Sequence, residues 1–190
     1  MKRSLYLSAG ILALALTACQ QESGGAPDQQ NQAVNSAQDM TAGAATAASF
    51  ISNAAVGGLY EVEAGRIAAQ RGMDPRVKAL GQTMVTDHTR AGDSLKPIAA
   101  SANLAIPSSL DERRQGLIDN LRGASDADFD RVYLQQQEAA HNETVALLET
   151  YGQTGDNDAL KAWAAQTLTV VRGHQRMVDA LDEADVDTAR

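Results

Sequence analysis

The sequence predicts an all-α protein: an antiparallel four-helix bundle with a short extra helix in the connection between the second and third long helices. Apolar residues recur at helical spacing in four long stretches, which are separated by breaks rich in glycine, proline and capping residues. No stretch shows the long β-branched alternation of a strand. The 190 residues, 44% hydrophobic and only 4% aromatic, are enough for one aliphatic core. We expect a single folded domain over residues 49–188.

Residues 1–18 predict a lipoprotein signal peptide. Two basic residues open the chain, and the apolar run over residues 5–16 is too short to span a bilayer. The following "LTAC" resembles the lipobox of bacterial lipoproteins, in which the cysteine, here Cys19, is lipidated and becomes the first mature residue. By the same resemblance, Gln20 implies delivery to the outer membrane, with the protein facing the periplasm. The alternative is an ordinary signal peptide and secretion to the periplasm.

Residues 19–48 are predicted to be the lipidated cysteine and a disordered tether, because they contain almost no large apolar side chain that folding would bury. Cys19 is the only cysteine, so no disulfide framework is expected. The formal charge of -8 argues against nucleic-acid binding and against simple adhesion to anionic lipid. The partners that remain are the lipid anchor at Cys19 and an unknown envelope protein or peptide.

A short turn joins the first two long helices. The first helix is predicted over residues 49–71 and ends at Gly72. Asp74 followed by Pro75 is typical of a helix start, and the second helix is predicted to continue to about residue 102. Because the turn between them is short, the two helices are expected to lie antiparallel.

Three further helices follow. A short helix is predicted over residues 111–122 and ends at Gly123. Ser125 caps a long helix that is predicted to reach about residue 151. The sequence "GQTGDND" then turns the chain into the last helix, predicted over residues 158–183.

Each of the three histidines lies near the middle of a different long helix. His88 falls within an apolar face, and His174 points along the middle of a stripe that includes Val170 and Met177. His141 lies at the edge of its stripe, where it faces either the core or a cleft. Counting residues from the turns of an up-down-up-down bundle places His88 and His141 closest in depth and His174 about a turn lower. This spacing permits the three rings to converge on one site.

Carboxylates near the histidines are further candidate ligands. In "EVEAGR", Glu63 shares a face with apolar residues, whereas Glu61 lies among small residues where another helix can approach closely. Periodicity leaves the choice between them open. Glu138 precedes His141 by three residues, the Glu-x-x-His spacing with which helix bundles hold metals. Asp87 lies on the flank of the second helix.

These segments resemble the bacterial DUF4142 proteins, which are often labelled predicted outer membrane proteins and grouped with ferritin-like helix bundles. The resembling stretches, in the family's order, are "EVEAGRIAAQRG", "VKALGQTMVTDHTRAGDSLKPIA", "IPSSL", "FDRVYLQQQEAAH" and "LKAWAAQTLTVVRGH". The positions that match the polar residues of the family pattern are Glu61, Asp87, His88, Asp130, His141 and His174. The pattern therefore favours Glu61 over Glu63. Thr169 departs from it, since similar sequences often have proline there. The resemblance implies a ferritin-like bundle and brings no established reaction.

One hypothesis for the function is a ferritin-like bundle that binds a single transition metal. Mixed imidazole and carboxylate ligands suit zinc, iron, copper or manganese. The candidate ligands are Glu61, His88, His141 and His174. Further candidates, as ligands or as residues that orient them, are Asp87, Glu138, Glu63 and Asp130. A di-iron centre is disfavoured, because the chain has one Glu-x-x-His motif and no glutamate on the inner face of the last helix.

The alternative is a non-enzymatic periplasmic binding or structural module, in which the histidines form a hydrogen-bonded core network with carboxylates. Tyr60, Tyr133 and Asp130 are available partners for such a network. Hydrolase chemistry is disfavoured because the sequence has no glycine-flanked serine elbow and because Cys19 is committed to lipid. The sequence therefore favours a protein that is not an enzyme and leaves its activity unestablished.

Overall fold

The structure is a computed structural model that describes residues 46–188, with side chains described as far as residue 182. The predicted signal peptide, the lipidation site at Cys19 and most of the predicted tether lie outside these residues. The described part of the chain is all-helical and contains no strand, so the all-α prediction is confirmed. None of the helices in this part is long and apolar enough to cross a membrane.

The described residues form five helices. They are α1 (Ala47–Arg71), α2 (Pro75–Ser101), α3 (Glu112–Gly123), α4 (Asp126–Thr154) and α5 (Asp158–Thr188). The side chains of Thr46, Asp74, Asp111 and Ser125 each accept a hydrogen bond from a backbone N–H in the first turn of the helix that follows. Because the Thr46 cap starts α1, this helix begins slightly before the predicted residue 49.

α1 and α2 touch backbone to backbone near the turn that joins them. A Cβ placed on Gly65 would lie 2.7 Å from the carbonyl oxygen of Gly81, and a Cβ on Gly81 would lie 2.6 Å from the carbonyl oxygen of Gly65. Only glycine permits this approach. The face of small residues that the sequence places around Glu61 is therefore a helix-to-helix contact at Gly65.

Two apolar clusters show in which direction each helix runs. The first joins residues from the end of α1, the start of α2, the start of α4 and the later part of α5, together with α3. The second joins residues from the start of α1, the end of α2, the end of α4 and the start of α5. α1 and α5 therefore run in one direction, and α2 and α4 run in the other. Each of α1 and α5 packs against both α2 and α4.

The up-down-up-down order used in counting from the turns is wrong. The α1–α2 turn lies beside the first cluster, whereas the α4–α5 turn lies beside the second cluster. The two turns are therefore at opposite ends of the molecule. The chain has to return along its length between α2 and α4, and residues 102–111 with α3 make this return, α3 packing against α1.

Candidate functional site

His88, His141 and His174 come together in the interior. Their ring centroids are 5.8 Å apart for His88 and His141, 5.3 Å for His88 and His174, and 5.5 Å for His141 and His174. The exposed fractions of the three residues are 8%, 1% and 2%. The expectation that His174 lies about a turn away from the other two is wrong, because its ring centroid lies 5.3 Å from that of His88 and 5.5 Å from that of His141.

The buried stripe of α5 is narrower than predicted. Val170 and Met177, which the sequence places beside His174 in the stripe, are 43% and 47% exposed. Val171 and Val178 are buried instead. Since Val171, His174 and Val178 follow the i, i+3, i+7 spacing of one helix face, His174 keeps its place at the centre of the buried stripe.

The hydrogen bond of the His141 ring determines which of its nitrogens carries no proton. Nδ1 lies 2.8 Å from the backbone carbonyl oxygen of Gln137, so Nδ1 carries the proton and donates a hydrogen bond to that oxygen. The Oε1 atom of Glu61 lies 3.6 Å from the same Nδ1. Nε2 of His141 has no hydrogen-bond partner among the described residues, which leaves its lone pair available.

His174 is held in a similar way from α2. Its Nε2 donates a hydrogen bond to Oδ2 of Asp87 at 3.1 Å, which leaves Nδ1 without a proton. Within residues 46–182, Nδ1 of His174 and Nε2 of His88 are both buried and without a partner. Buried polar atoms in folded proteins normally have partners. With Nε2 of His141, the site therefore has three unpartnered imidazole nitrogens.

Burial keeps all three rings neutral at pH 7. It lowers the pKa of His141 to about 4. It also lowers the pKa of His88 well below its usual value, and the neighbouring imidazoles of His141 and His174 add to this effect. Burial lowers the pKa of His174 as well, although the carboxylate of Asp87 opposes the shift. Neutral imidazoles retain the lone pairs with which histidine binds metals.

The three histidines are close enough to hold a metal ion together. One ring nitrogen from each lies within 4.8 Å of the other two. Metal–nitrogen bonds of about 2.0–2.1 Å in a tetrahedral site require ligand nitrogens roughly 3.4 Å apart, so movements of about 1 Å would close the three rings around an ion. No other such group of histidine, cysteine and carboxylate side chains occurs in the described part of the chain.

Glu61, predicted as a metal ligand, lies beside His141. Its carboxylate faces Nδ1 of His141, the nitrogen that already bonds to the α4 backbone, and Glu61 is not part of the converging group. Burial raises the pKa of Glu61 to about 7, although the side chain of Gln137, followed by His174 and Arg114, opposes the shift. Its Oε2 atom is buried and lacks a partner among the residues described.

Two other predicted carboxylates lie outside the histidine cluster. Glu63 forms ion pairs with Arg122 at 2.7 Å and with Arg66 at 3.6 Å. Glu138 is exposed. Glu138 and His141 are about 60° apart around the helix axis, and Glu138 lies on the side of His141 that faces solvent. The Glu-x-x-His motif therefore does not bring its glutamate to the site.

Asp130 also lies away from the histidines and has a structural role. Its carboxylate accepts hydrogen bonds from the backbone N–H of Met73 at 2.9 Å and from that of Asp74 at 2.7 Å. These bonds tie the turn between α1 and α2 to the first turns of α4. Asp130 therefore anchors the turn between α1 and α2.

Two buried polar residues of α4 extend the site beyond the residues predicted to bind metal. Gln137 is fully buried beside Glu61 and Tyr60, and neither of its side-chain amide atoms makes a hydrogen bond of good geometry in the part of the chain described. The same holds for the hydroxyl of Tyr133, whose pKa is raised well above its usual value by burial and by Glu61. Gln137 lies four residues before His141 and shares its helix face, and this spacing is the signal that identifies it.

A protein-family model matches most of the chain. Its description is Domain of unknown function (DUF4142), and the match covers residues 30–181. This range begins within the predicted tether and includes all three histidines. The resemblance drawn from the sequence motifs is confirmed. No curated protein and no solved structure matches the chain.

Proposed function

The chain belongs to the DUF4142 family, and we propose that it binds a single transition-metal ion through His88, His141 and His174. One observation carries the proposal: each of the three buried rings keeps one nitrogen without a hydrogen-bond partner in the described part of the chain. A purely structural network would pair these nitrogens, because an unpaired buried polar group costs free energy.

The hydrogen-bond acceptors of two of the rings support metal binding. Asp87 accepts a hydrogen bond from His174, and the Gln137 carbonyl accepts one from His141. Metal-ligating histidines usually donate their second ring N–H to a carboxylate or a backbone carbonyl, which fixes the ring and its tautomer. The two rings are thus already oriented with the unprotonated nitrogen available.

An all-imidazole ligand set narrows the choice of metal. Imidazole suits zinc, copper, iron and nickel, whereas manganese prefers carboxylate and water oxygens. Iron sites in ferritin-like helix bundles use carboxylates as well, so zinc and copper fit best among the four metals considered from the sequence. Three protein ligands also leave a fourth position for water or another small ligand, as in catalytic zinc sites.

The helix order supports a ferritin-like four-helix bundle as the scaffold of this site. α1, α2, α4 and α5 would form the bundle, with α3 in the crossover between α2 and α4. One long crossover that places the second and third long helices parallel is the ferritin-like connection. The site differs from the di-iron centres of such bundles, since three imidazoles take the place of carboxylates.

Metal binding is tested by treating the purified protein with a chelator and titrating it with Zn²⁺, Cu²⁺, Fe²⁺ and Mn²⁺, and with Co²⁺ as a spectroscopic probe. We expect about one zinc or copper ion per chain, and visible cobalt absorption typical of nitrogen ligands. His141→Ala and His174→Ala are each expected to weaken zinc binding by more than about tenfold.

The matched control is Glu138→Ala, which removes the acidic residue of the Glu-x-x-His motif. Glu138 is exposed, so this variant should bind zinc as the unaltered protein does. Failure of the unaltered protein to bind any of the metals would overturn the proposal. Undiminished binding by both histidine variants would do the same.

We also propose that the chain is a lipoprotein of the cell envelope, anchored through Cys19 in the outer membrane and facing the periplasm. The support is the sequence: an apolar run preceded by basic residues and followed by "LTAC". Mass spectrometry of the protein purified from membranes should find a lipidated Cys19 at the N-terminus, and Cys19→Ser should release the protein from the membrane fraction. An unlipidated mature N-terminus would contradict this proposal.

A further inference from the structure

A cavity of about 760 Å³ lies between α1, α2 and the segment that leads from α2 into α3. Its volume falls within the range of small-molecule sites, about 300–1,000 Å³. It extends inward as far as His88, Leu147 and Trp163. Of the three histidines, all within the described residues, only His88 contributes to its wall.

Glycines on both helices create the space. α1 and α2 touch at Gly65 and Gly81, whereas Gly58 of α1 and Gly92 of α2 line the cavity. A Cβ on Gly58 or Gly92 would meet no atom within 4 Å. The two helices are therefore in tight contact at one end and leave room beside them further along.

Most of the cavity wall is apolar. Aliphatic side chains reach it from every surrounding element, among them Leu59, Val62, Leu95, Ile106, Leu147 and Val171. Trp163 is 7% exposed, and its ring also contributes to the wall. A wall of this kind favours a ligand with an apolar body, because binding removes apolar surface from water on both sides.

Arg114 supplies a cation inside the cavity wall. It is 7% exposed, and its Nη1 donates a hydrogen bond to Asp111. Its Nη2 is the atom that a Cβ on Gly57, another wall residue, would meet at 3.9 Å. Among the described residues, the side chain of Arg114 hydrogen-bonds only to Asp111. A guanidinium has five N–H donors, so donors remain for an anion at the wall.

The other charged residues of the wall form ion pairs. Arg66, Lys96 and Arg122 line the cavity with Arg114, whereas the acidic residues that line it are Glu63 and Asp93. Arg66 and Arg122 both pair with Glu63, and Lys96 pairs with Asp93, so the charges of these residues largely neutralise one another. Arg114, which is buried and keeps donors beyond its bond to Asp111, is therefore the wall residue that can bind an anionic group.

We propose that this cavity binds an amphipathic small molecule with an elongated apolar body and a single carboxylate, of the class of medium-chain fatty acids. Arg114 receives the carboxylate, since a guanidinium pairs with a carboxylate through two parallel hydrogen bonds. The aliphatic wall and Trp163 receive the hydrocarbon chain. The site does not require the metal ion, because two of the three proposed ligands, His141 and His174, lie outside the cavity wall.

The emission of Trp163 provides a direct test, because it is the only tryptophan of the chain and lines the cavity. The purified, metal-free protein is titrated with dodecanoate, dodecanol and dodecyltrimethylammonium, each below its micellar concentration. We expect a saturable change of emission with dodecanoate, and binding of the cationic analogue that is weaker by at least about tenfold.

Two variants separate the apolar from the charged contribution. Gly58→Leu fills the cavity and should weaken dodecanoate and dodecanol binding alike, by at least about tenfold. The matched control is Gly152→Leu on α4, where a Cβ also meets nothing within 4 Å and no cavity wall is involved. Arg114→Met should weaken the binding of dodecanoate and leave that of dodecanol unchanged.

Three outcomes would overturn the proposal. The first is the absence of saturable binding of dodecanoate by the unaltered protein. The second is equal affinity for the three head groups, which would indicate non-specific adsorption. The third is unchanged binding by Gly58→Leu, which would place the ligand elsewhere. None of these results bears on the zinc titration, so failure here and failure of the metal proposal are distinguishable.

Discussion

Asp87 of α2 accepts a hydrogen bond from Nε2 of His174 of α5, at 3.1 Å. The carboxylate thereby fixes the tautomer of the ring and leaves Nδ1 as its unprotonated nitrogen. Asp87 also pairs with the exposed Arg90 at 3.1 Å, and this ion pair helps to hold its carboxylate in place. Adjacent residues of α2 therefore have complementary roles: His88 lies in the cluster, and Asp87 orients another member of it.

Asp87→Ala is expected to weaken zinc binding by about 10- to 100-fold, the usual effect of losing the partner behind a ligating histidine. The reason is that the ring of His174 then rotates and changes tautomer freely. Competition with a chromophoric chelator measures the affinity. The control is Asp93→Ala, because Asp93 pairs with Lys96 at 2.8 Å in the same i, i+3 arrangement on the same helix. Equal affinities of the two variants would show that Asp87 does not orient a ligand.

Gly65→Ala is expected to destabilise the fold by about 1–3 kcal/mol, since forcing an extra methyl into a packed contact shifts the backbone. The methyl would lie 2.7 Å from the carbonyl oxygen of Gly81. Gly58→Ala, on the same helix but with open space around it, should instead stabilise the fold by about 0.5–1 kcal/mol, as alanine does in a helix interior. Urea unfolding measures both free energies. A stabilising effect at Gly65 would contradict the close contact of α1 and α2.

Asp130→Ala is expected to lower the free energy of unfolding by about 1–3 kcal/mol, because the backbone N–H groups of Met73 and Asp74 lose a charged acceptor. Zinc affinity should stay the same, since Asp130 bonds to the α1–α2 turn rather than to the histidines. Urea unfolding and the chelator competition together test this prediction. A large loss of zinc affinity at unchanged stability would indicate that Asp130 is part of the metal site.

The helices and the three central histidines were predictable because both depend on local pattern. Capping residues such as Asp74 and Ser125 mark helix starts within a turn of the chain. The apolar spacing of each helix then shows which face is buried, and it places His88 and His174 on that face. These signals need no knowledge of how the helices are arranged.

The relative depth of the histidines was not predictable from local pattern. It depends on where the connection between α2 and α4 leads, and residues 102–111 carry no helical period that reveals their direction. Because α2 and α4 start at the same end of the molecule, His88 and His141 lie at similar distances from that end. α5 then brings His174 to the same level from the opposite direction.

The choice between Glu61 and Glu63 likewise depended on packing. Glu61 and Gly65 are four residues apart and share a helix face. Because Gly65 contacts α2 backbone to backbone, that face turns inward and takes Glu61 with it, whereas Glu63 reaches Arg122 at the surface. Helical periodicity alone indicated burial equally for the face of Glu61 and for the face of Glu63.

Glu61→Gln is expected to stabilise the metal-free protein at pH 8 and to have little effect at pH 5. The pKa of Glu61 is raised from 4.5 to about 7 by burial, so between these values the native state binds a proton that the unfolded state has released. The penalty from Glu61 therefore grows as the pH rises from about 4.5 and reaches its full size, roughly 3 kcal/mol, above about pH 7. Glutamine keeps the shape of the side chain without the charge. The charge of Glu61 also raises the pKa of His174, so the difference between the two proteins includes the loss of this interaction. Urea unfolding of the two proteins at each pH, with chelator present, measures this difference, and a difference independent of pH would mean that Glu61 is ionised at both values.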